Sequence, residues 1–162
     1  STNANDTIPR YIKEGLYEPH STKKTISNAM DVSDPSNFKR IQKIFNNDLQ
    51  KLRKNVSSFS FNDTETEEAM RLLYNSYGYL TCPHSAVGYL GLKKYMGINK
   101  ISNMNGIFIS TAHCIKFKDV VENSISTIIK YPKSINDILN KEKKSLSIES
   151  YSELKDFLLS RV

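Results

Sequence analysis

Residues 109–117, Ile-Ser-Thr-Ala-His-Cys-Ile-Lys-Phe, hold the richest set of side chains capable of chemistry in this 162-residue chain. A hydroxyl such as that of Thr111 can donate a hydrogen bond to a neutral ring nitrogen without protonating it, whereas a carboxylate would hold a pyridinium. The segment therefore favours a role for Thr111 in tuning electron withdrawal by a cofactor ring. An N-cap role for Thr111 on the helix that follows explains the local sequence equally well.

Two cationic side chains, Arg10 and Lys116, stand near predicted helix starts. Helix N-termini and cations both suit the oxygens of a phosphate, so either residue could hold a phosphorylated substrate. The alternative is that both are solvated surface charges.

Histidines and cysteines offer further candidates, at His84, His113, Cys82 and Cys114. Each histidine could transfer a proton, or could simply donate to a backbone carbonyl near a helix start. The two cysteines are far apart in sequence and form no metal-ligand spacing. We expect free thiols and no metal site.

The elements that must position these residues are mostly helices. An apolar run at Gly106–Ile109 predicts a strand that ends in hydroxyl residues just before a helix, which is where open α/β sheets bind ligands. A sheet needs more than one strand, so we expect the partners of this strand to come from outside this sequence. Residues 133–147 are mostly polar and predict a connecting segment. Helical patterns cover about residues 7–14, 38–52, 64–77, 83–96, 116–129 and 148–159.

Composition excludes several classes of protein. No apolar run approaches the roughly 18 residues that cross a bilayer, and the polar start resembles no signal peptide. These features predict a cytoplasmic protein with no membrane partner. The net charge is +6, but the lysines are scattered and acidic residues alternate with them near the C-terminus, so no nucleic-acid partner is expected.

Four blocks of the sequence, residues 3–10, 25–33, 82–88 and 110–117, stand in the same order as the motifs of one enzyme family. Together they resemble the threonine synthases, which are pyridoxal-phosphate (PLP) enzymes of fold type II. They look like that family's NxNDTxPR, TLSNAMD, (D/E)PHxAV and TAHPAKF motifs. The resemblance runs over essentially the whole chain, although about the last thirty residues match only loosely.

The resemblance implies an α/β fold, of which this chain is the helix-rich C-terminal part. It would contribute few strands to a sheet completed by an N-terminal part of the same enzyme. Residues 1–162 would then be an incomplete domain, with 131–162 as a C-terminal tail that holds the last helix. The Schiff-base lysine and the loop for the cofactor phosphate are expected outside this chain. No catalytic residue is therefore assigned here, and the chain alone is expected to be inactive.

The implied activity is a lyase reaction that converts O-phospho-L-homoserine and water to L-threonine and phosphate through a PLP aldimine. By position, Thr111 is implied as the partner of the pyridine nitrogen, with Ser110 beside it. Two alternatives stay open: a non-catalytic relative that acts as a binding module, and a PLP lyase for another phosphorylated amino acid. The implied substrate or phosphate contacts are Asn5, Asp6, Arg10 and Lys116.

Two positions depart from the family pattern. Cys114-Ile115 stands where the family usually has Pro-Ala, which predicts a less rigid loop after Thr111. Cys82 replaces the usual acid before Pro83. We expect that acid to cap a helix, so its loss costs about 1 kcal/mol.

Overall fold

The computed structural model describes residues 1–161, without the side chain of Asp137. It divides the chain into a unit that spans Ser1–Ile129 and a second unit that begins at Lys130. Two 3₁₀ turns lie at Asn28–Met30 and Cys114–Phe117. The α-helices of the described residues are α1 (Thr7–Glu14), α2 (Phe38–Ile44), α3 (Leu49–Asn55), α4 (Asp63–Tyr77), α5 (Pro83–Ile98), α6 (Lys118–Ile125), α7 (Lys133–Leu139) and α8 (Tyr151–Leu159).

Helix α4 is the centre of the first unit and packs against both α5 and α6. It buries Met70 and Leu73. Its start is fixed by a capping box, in which Asn62 and Glu65 each accept the other's backbone N–H at 2.9 Å. In the sequence, Thr64-Glu65-Thr66-Glu67 also has the pattern of a capping box and predicts a start two residues later, at Thr64. The helix ends at Gly78, whose φ of 63° lies in the left-handed region that glycine adopts without strain.

Helix α1 begins and ends as predicted, and it contacts α3. Gly15 terminates it with a φ of 89°. The last carbonyls of a helix have no partner within it. Arg53 of α3 is the partner of two of these carbonyls, because its guanidinium donates to those of Ile12 (2.7 Å) and Lys13 (2.9 Å).

The predicted strand Gly106–Ile109 is not formed. Among the described residues there is no β-strand, and the one β pairing is an isolated bridge between Thr2 and Ser60. The predicted helix-rich character is confirmed, whereas the sheet of the α/β prediction is absent within residues 1–161. An apolar run gives only a preference for extended backbone, and a strand also needs a neighbour that pairs with its N–H and C=O groups.

The segment nevertheless rests against α5. Phe108 contacts Tyr79 and Tyr89 edge to face, with ring centroids 6.1 and 5.8 Å apart. Its flanking side chains point away from the protein, since Ile107 is 88% and Ile109 77% exposed.

Several predicted helix limits were wrong. The single helix expected over 38–52 is broken into α2 and α3, because Asn46 and Asn47 adopt positive φ angles of 54° and 58°. Asparagine tolerates this conformation better than most residues. Asp48 then caps α3 by accepting from the Lys51 backbone N–H.

Three further limits differ from the patterns. The helix expected over 116–129 is a 3₁₀ turn followed by α6, which ends at Ser126 with a φ of 53°. Helix α5 continues past Gly97 to Ile98. The polar connection expected over 133–147 contains the short helix α7.

In the second unit the last predicted helix is confirmed, with its start at Tyr151 rather than at residue 148. Ser150 caps it by accepting from the backbone N–H of Glu153, whose carboxylate in turn accepts from the Glu149 N–H. In residues 1–161, no helix combines the length and apolar character that crossing a bilayer requires.

Candidate functional site

A cavity of about 480 Å³ lies where the turn between α4 and α5 meets the segment before the second 3₁₀ turn. We call it the hydroxyl cavity. Its volume is within the range of small-molecule sites. None of the described residues that line it carries a carboxylate. Its lining residues are Tyr79, Leu80, Cys82, Ser110, Thr111, Ala112, His113 and Cys114.

Ser110 and Thr111 both line this cavity. Both residues are exposed. Ser110 is held by a hydrogen bond from α5, because the hydroxyl of Ser85 donates to its Oγ at 2.9 Å. Ser85 lies in the first turn of α5 and is 1% exposed. Its hydroxyl also lies 3.3 Å from the thiol sulfur of Cys82.

His113 caps the 3₁₀ turn beyond the hydroxyls. Its Nδ1 accepts from the backbone N–H of Ile115 at 3.1 Å. Nδ1 therefore carries no proton in this arrangement, and any proton on the neutral ring lies on Nε2. The sequence also allowed a hydrogen bond from this histidine to a backbone carbonyl. The ring is held instead by the hydrogen bond that it accepts from Ile115.

Cys82 and Cys114 both line the cavity and are buried free thiols. Burial raises the pKa of the Cys114 thiol, and the nearby Cys82 raises it further, while hydrogen bonds from the backbone act in the opposite direction. Cys82 occupies the N-cap position of α5, but its side chain does not bond the helix backbone.

His84 lies one residue beyond Pro83, with its ring 4.5 Å from that of Phe117. Burial lowers the pKa of His84, and the Asp31 carboxylate and the Ser27 backbone oppose that effect only partly. Neither ring nitrogen makes a hydrogen bond of good geometry within the described residues. His84 is therefore held neutral near physiological pH.

A second cavity, of about 620 Å³, opens between the first eight residues and the loop over residues 29–37. Asn5 is on its wall, but this side chain is only 6% exposed. Its Oδ1 accepts from the Lys23 N–H (2.9 Å) and the Ser33 hydroxyl (3.1 Å). Its Nδ2 donates to the Lys23 carbonyl and to Asn3. Both polar ends of Asn5 thus have protein partners.

Asp31 is the acceptor at the centre of this network. Its Oδ1 accepts from Asn3 (2.8 Å) and from the Thr25 hydroxyl (2.7 Å), and its Oδ2 accepts from the Thr25 N–H (2.9 Å). Sequence reasoning assigned no function to Asn3, Thr25 or Asp31. All three nevertheless fall inside the first two blocks of the family resemblance, which was the available signal.

The remaining predicted site residues line neither cavity. Asp6 and Arg10 pair across the first turns of α1 at 3.1 Å, and Arg10 also donates to the Glu18 carbonyl at 2.6 Å. Lys116 is exposed on the second 3₁₀ turn and forms no ion pair within the described residues. The structure therefore places Ser110 and Thr111 at one cavity. The residues implied as substrate contacts lie elsewhere, at three separate places.

Known proteins resemble this chain in both sequence and fold. A family model described as "Threonine synthase, C-terminal" matches residues 85–158. Threonine synthase of Buchnera aphidicola subsp. Acyrthosiphon pisum is 38% identical over 164 residues, which cover 99% of this chain and 36% of that protein.

Two solved structures share the fold. Threonine synthase from Escherichia coli superposes with a TM-score of 0.81 at 30% identity, over 100% of this chain and 37% of that one. PLP-bound threonine synthase from Brucella melitensis gives 0.79 at 22% identity, over 98% and 39%. The chain thus spans well under half the length of the relatives that it matches.

Proposed function

The chain is related along its length to the C-terminal portion of the threonine synthases, and on that premise we propose that it is part of an enzyme that makes L-threonine. The substrates are O-phospho-L-homoserine and water, and the second product is phosphate. The reaction class is that of a PLP-dependent carbon–oxygen lyase. The observation that carries the proposal is the pair of exposed hydroxyls, Ser110 and Thr111, at a cavity whose described walls carry no carboxylate.

The hydroxyl cavity fits the ring nitrogen of PLP. Hydroxyl donors without an acid keep a pyridine nitrogen neutral and still satisfy it with a hydrogen bond. When bound, PLP supplies the electron-withdrawing ring that makes the elimination of phosphate feasible. Thr111 and Ser110 would hold that ring by donating hydrogen bonds to its nitrogen. The wall formed by Tyr79 and Leu80 offers it apolar contact.

On the substrate side we assign Lys116 as a phosphate contact, because it is exposed and no acid of the described residues pairs with it. Asp6 holds Arg10 in place and limits where its guanidinium can reach. Asn5 contributes by fixing the chain around it, because its side chain accepts hydrogen bonds from Lys23 and Ser33. The resemblance implies all four as substrate or phosphate contacts, and in this proposal Asn5 and Asp6 act by positioning and not by contact.

The catalytic lysine and the phosphate loop belong, in this proposal, to an N-terminal part of the same enzyme. That part would also supply the backbone that pairs with residues 106–109. The cytoplasmic location expected from the sequence stays a prediction.

The test is phosphate release from O-phospho-L-homoserine by the full-length protein loaded with PLP. We expect phosphate and threonine in equal amounts. If the folded, PLP-loaded protein releases no phosphate, the proposed substrate is wrong. Release from a different phosphorylated amino acid would then identify the lyase alternative.

A further inference from the structure

Three small polar side chains form a line from the buried start of α5 to the hydroxyl cavity. The Cys82 Sγ lies 3.3 Å from the Ser85 Oγ, which lies 2.9 Å from the Ser110 Oγ. Cys82 and Ser85 are each 1% exposed, whereas Ser110 is exposed at the cavity. The line thus joins a buried thiol to a group that faces the proposed cofactor.

The direction of these hydrogen bonds follows from counting hydrogens. A serine hydroxyl has one hydrogen to donate, and Ser85 donates it to Ser110. Between Cys82 and Ser85, the thiol must therefore be the donor. The oxygen of Ser110 accepts from Ser85, while its own hydrogen has no acceptor within the described residues. That hydrogen is free to be donated into the cavity.

We propose that Cys82 and Ser85 are positioning residues that set Ser110 as a hydrogen-bond donor toward the ring nitrogen of PLP. The proposal rests on the function proposed above. A neutral ring nitrogen only accepts hydrogen bonds, so the direction of the chain decides whether Ser110 can serve it. Hydrogen bonds arranged head to tail also polarise one another, which strengthens the last donor.

The residue at position 82 selects the direction. An ionised carboxylate there could only accept, so Ser85 would donate to it. Ser110 would then donate to Ser85 and turn a lone pair toward the cavity. Cys82→Asp should therefore reverse the chain, while Cys82→Ser keeps a donor. Aspartate and serine are both favourable at a helix N-cap, so both variants are expected to fold.

The first experiment reads the direction without any activity. The infrared S–H stretch of Cys82 is isolated in the full-length protein by subtracting the spectrum of Cys82→Ser. We expect this band to move to higher frequency in Ser85→Ala, because the thiol loses its acceptor. Ser124→Ala is the matched control, since Ser124 is equally a buried helical serine but donates to the Val120 carbonyl. A band that does not respond to Ser85→Ala overturns the proposal.

The second experiment reads the ring nitrogen. The ¹⁵N NMR signal of bound, ring-labelled PLP should be retained in Cys82→Ser and should shift in Cys82→Asp. We expect kcat to fall roughly tenfold in Cys82→Asp, with little change in KM, which is the size of one lost hydrogen bond. If the thiol band responds but the ring signal is identical in both variants, the proposal is overturned. A protein that binds no PLP overturns the proposed function instead, and the thiol band still decides the direction by itself.

Discussion

Thr111 and Ser110 stand side by side at the hydroxyl cavity, but they differ in how they are held. Ser110 accepts from the buried Ser85, whereas the Thr111 hydroxyl forms no hydrogen bond within residues 1–161. A free hydroxyl can turn toward whatever enters the cavity. The Ser110 oxygen, in contrast, already accepts a hydrogen bond from Ser85. The two residues therefore offer one adjustable and one oriented donor.

Removing the Thr111 hydroxyl tests the adjustable donor. In the full-length, PLP-loaded protein, Thr111→Val should lower kcat roughly tenfold, because it deletes one hydrogen bond to the ring. Thr111→Ser keeps the hydroxyl and should retain most of the activity. Stability should change little in either variant, since Thr111 is exposed. Equal activity of the valine and serine variants would contradict a role for this hydroxyl.

His84 predicts a specific dependence of stability on pH. Because burial lowers its pKa in the folded state from the ordinary value of 6.5, the unfolded chain binds the proton more readily. Protonation therefore favours unfolding, and the stability due to the neutral ring is lost as the pH falls through about 6.5. Between about pH 7 and pH 5, the thermal midpoint should fall more in the wild type than in His84→Gln.

The control for this experiment is His20→Gln, which changes an exposed histidine outside both cavities. Its midpoint should follow the wild type as the pH falls. If His84→Gln also follows the wild type over that range, the folded and unfolded proteins do not differ in the pKa of this ring.

At the scale of elements, local signals located most helices but missed several of their limits. Gly15 and Gly78 end helices because a left-handed residue is needed there, and glycine marks such positions in sequence. The break between α2 and α3 was missed, because Asn46 and Asn47 can continue a helix as well as leave one. The strand predicted at 106–109 did not form, for another reason. Its formation depends on pairing partners, which no pattern within those four residues encodes.

The site likewise contains residues that the sequence analysis proposed and one that it did not. Thr111 was proposed because a hydroxyl after an apolar run has a recognisable chemistry, and Ser110 was added because the family resemblance implies it. Both line the cavity, and their roles stay predictions. Ser85 was not found, since a serine in the first turn of a helix is common and its contact with Ser110 is made across 25 residues of sequence. Such contacts are set by the packing of the segment on α5.

The start of α4 gives a test at this scale. Asn62→Ala removes the cap of the helix at the centre of the first unit and should lower the free energy of unfolding by about 1 kcal/mol. Thr64→Ala is the matched control, because Thr64 is exposed and caps nothing in the structure. Urea denaturation of both variants measures the difference. A larger loss in Thr64→Ala than in Asn62→Ala would mean that the helix is capped at Thr64 and not at Asn62.

For the molecule as a whole, the exposed apolar side chains at Ile107 and Ile109 are the most telling feature. Isolated exposed hydrophobic residues are normal, but these two flank a segment whose backbone lacks a pairing partner within residues 1–161. Exposed apolar side chains beside unpaired backbone groups form a surface to which another extended segment can bind. In our proposal that segment comes from the N-terminal part of the enzyme.

Expressed alone, residues 1–162 should therefore associate with one another. We expect light scattering or sedimentation to show concentration-dependent species larger than 18.5 kDa. Ile107→Lys with Ile109→Lys should reduce that association, since charges on an exposed edge oppose strand pairing. Lysines placed at Ile41 and Ile44, which are also exposed, control for a general gain in charge. A wild-type chain that stays monomeric and unfolds in one sharp transition would show that residues 106–109 need no partner, and the proposed pairing with an N-terminal part would lose its physical basis.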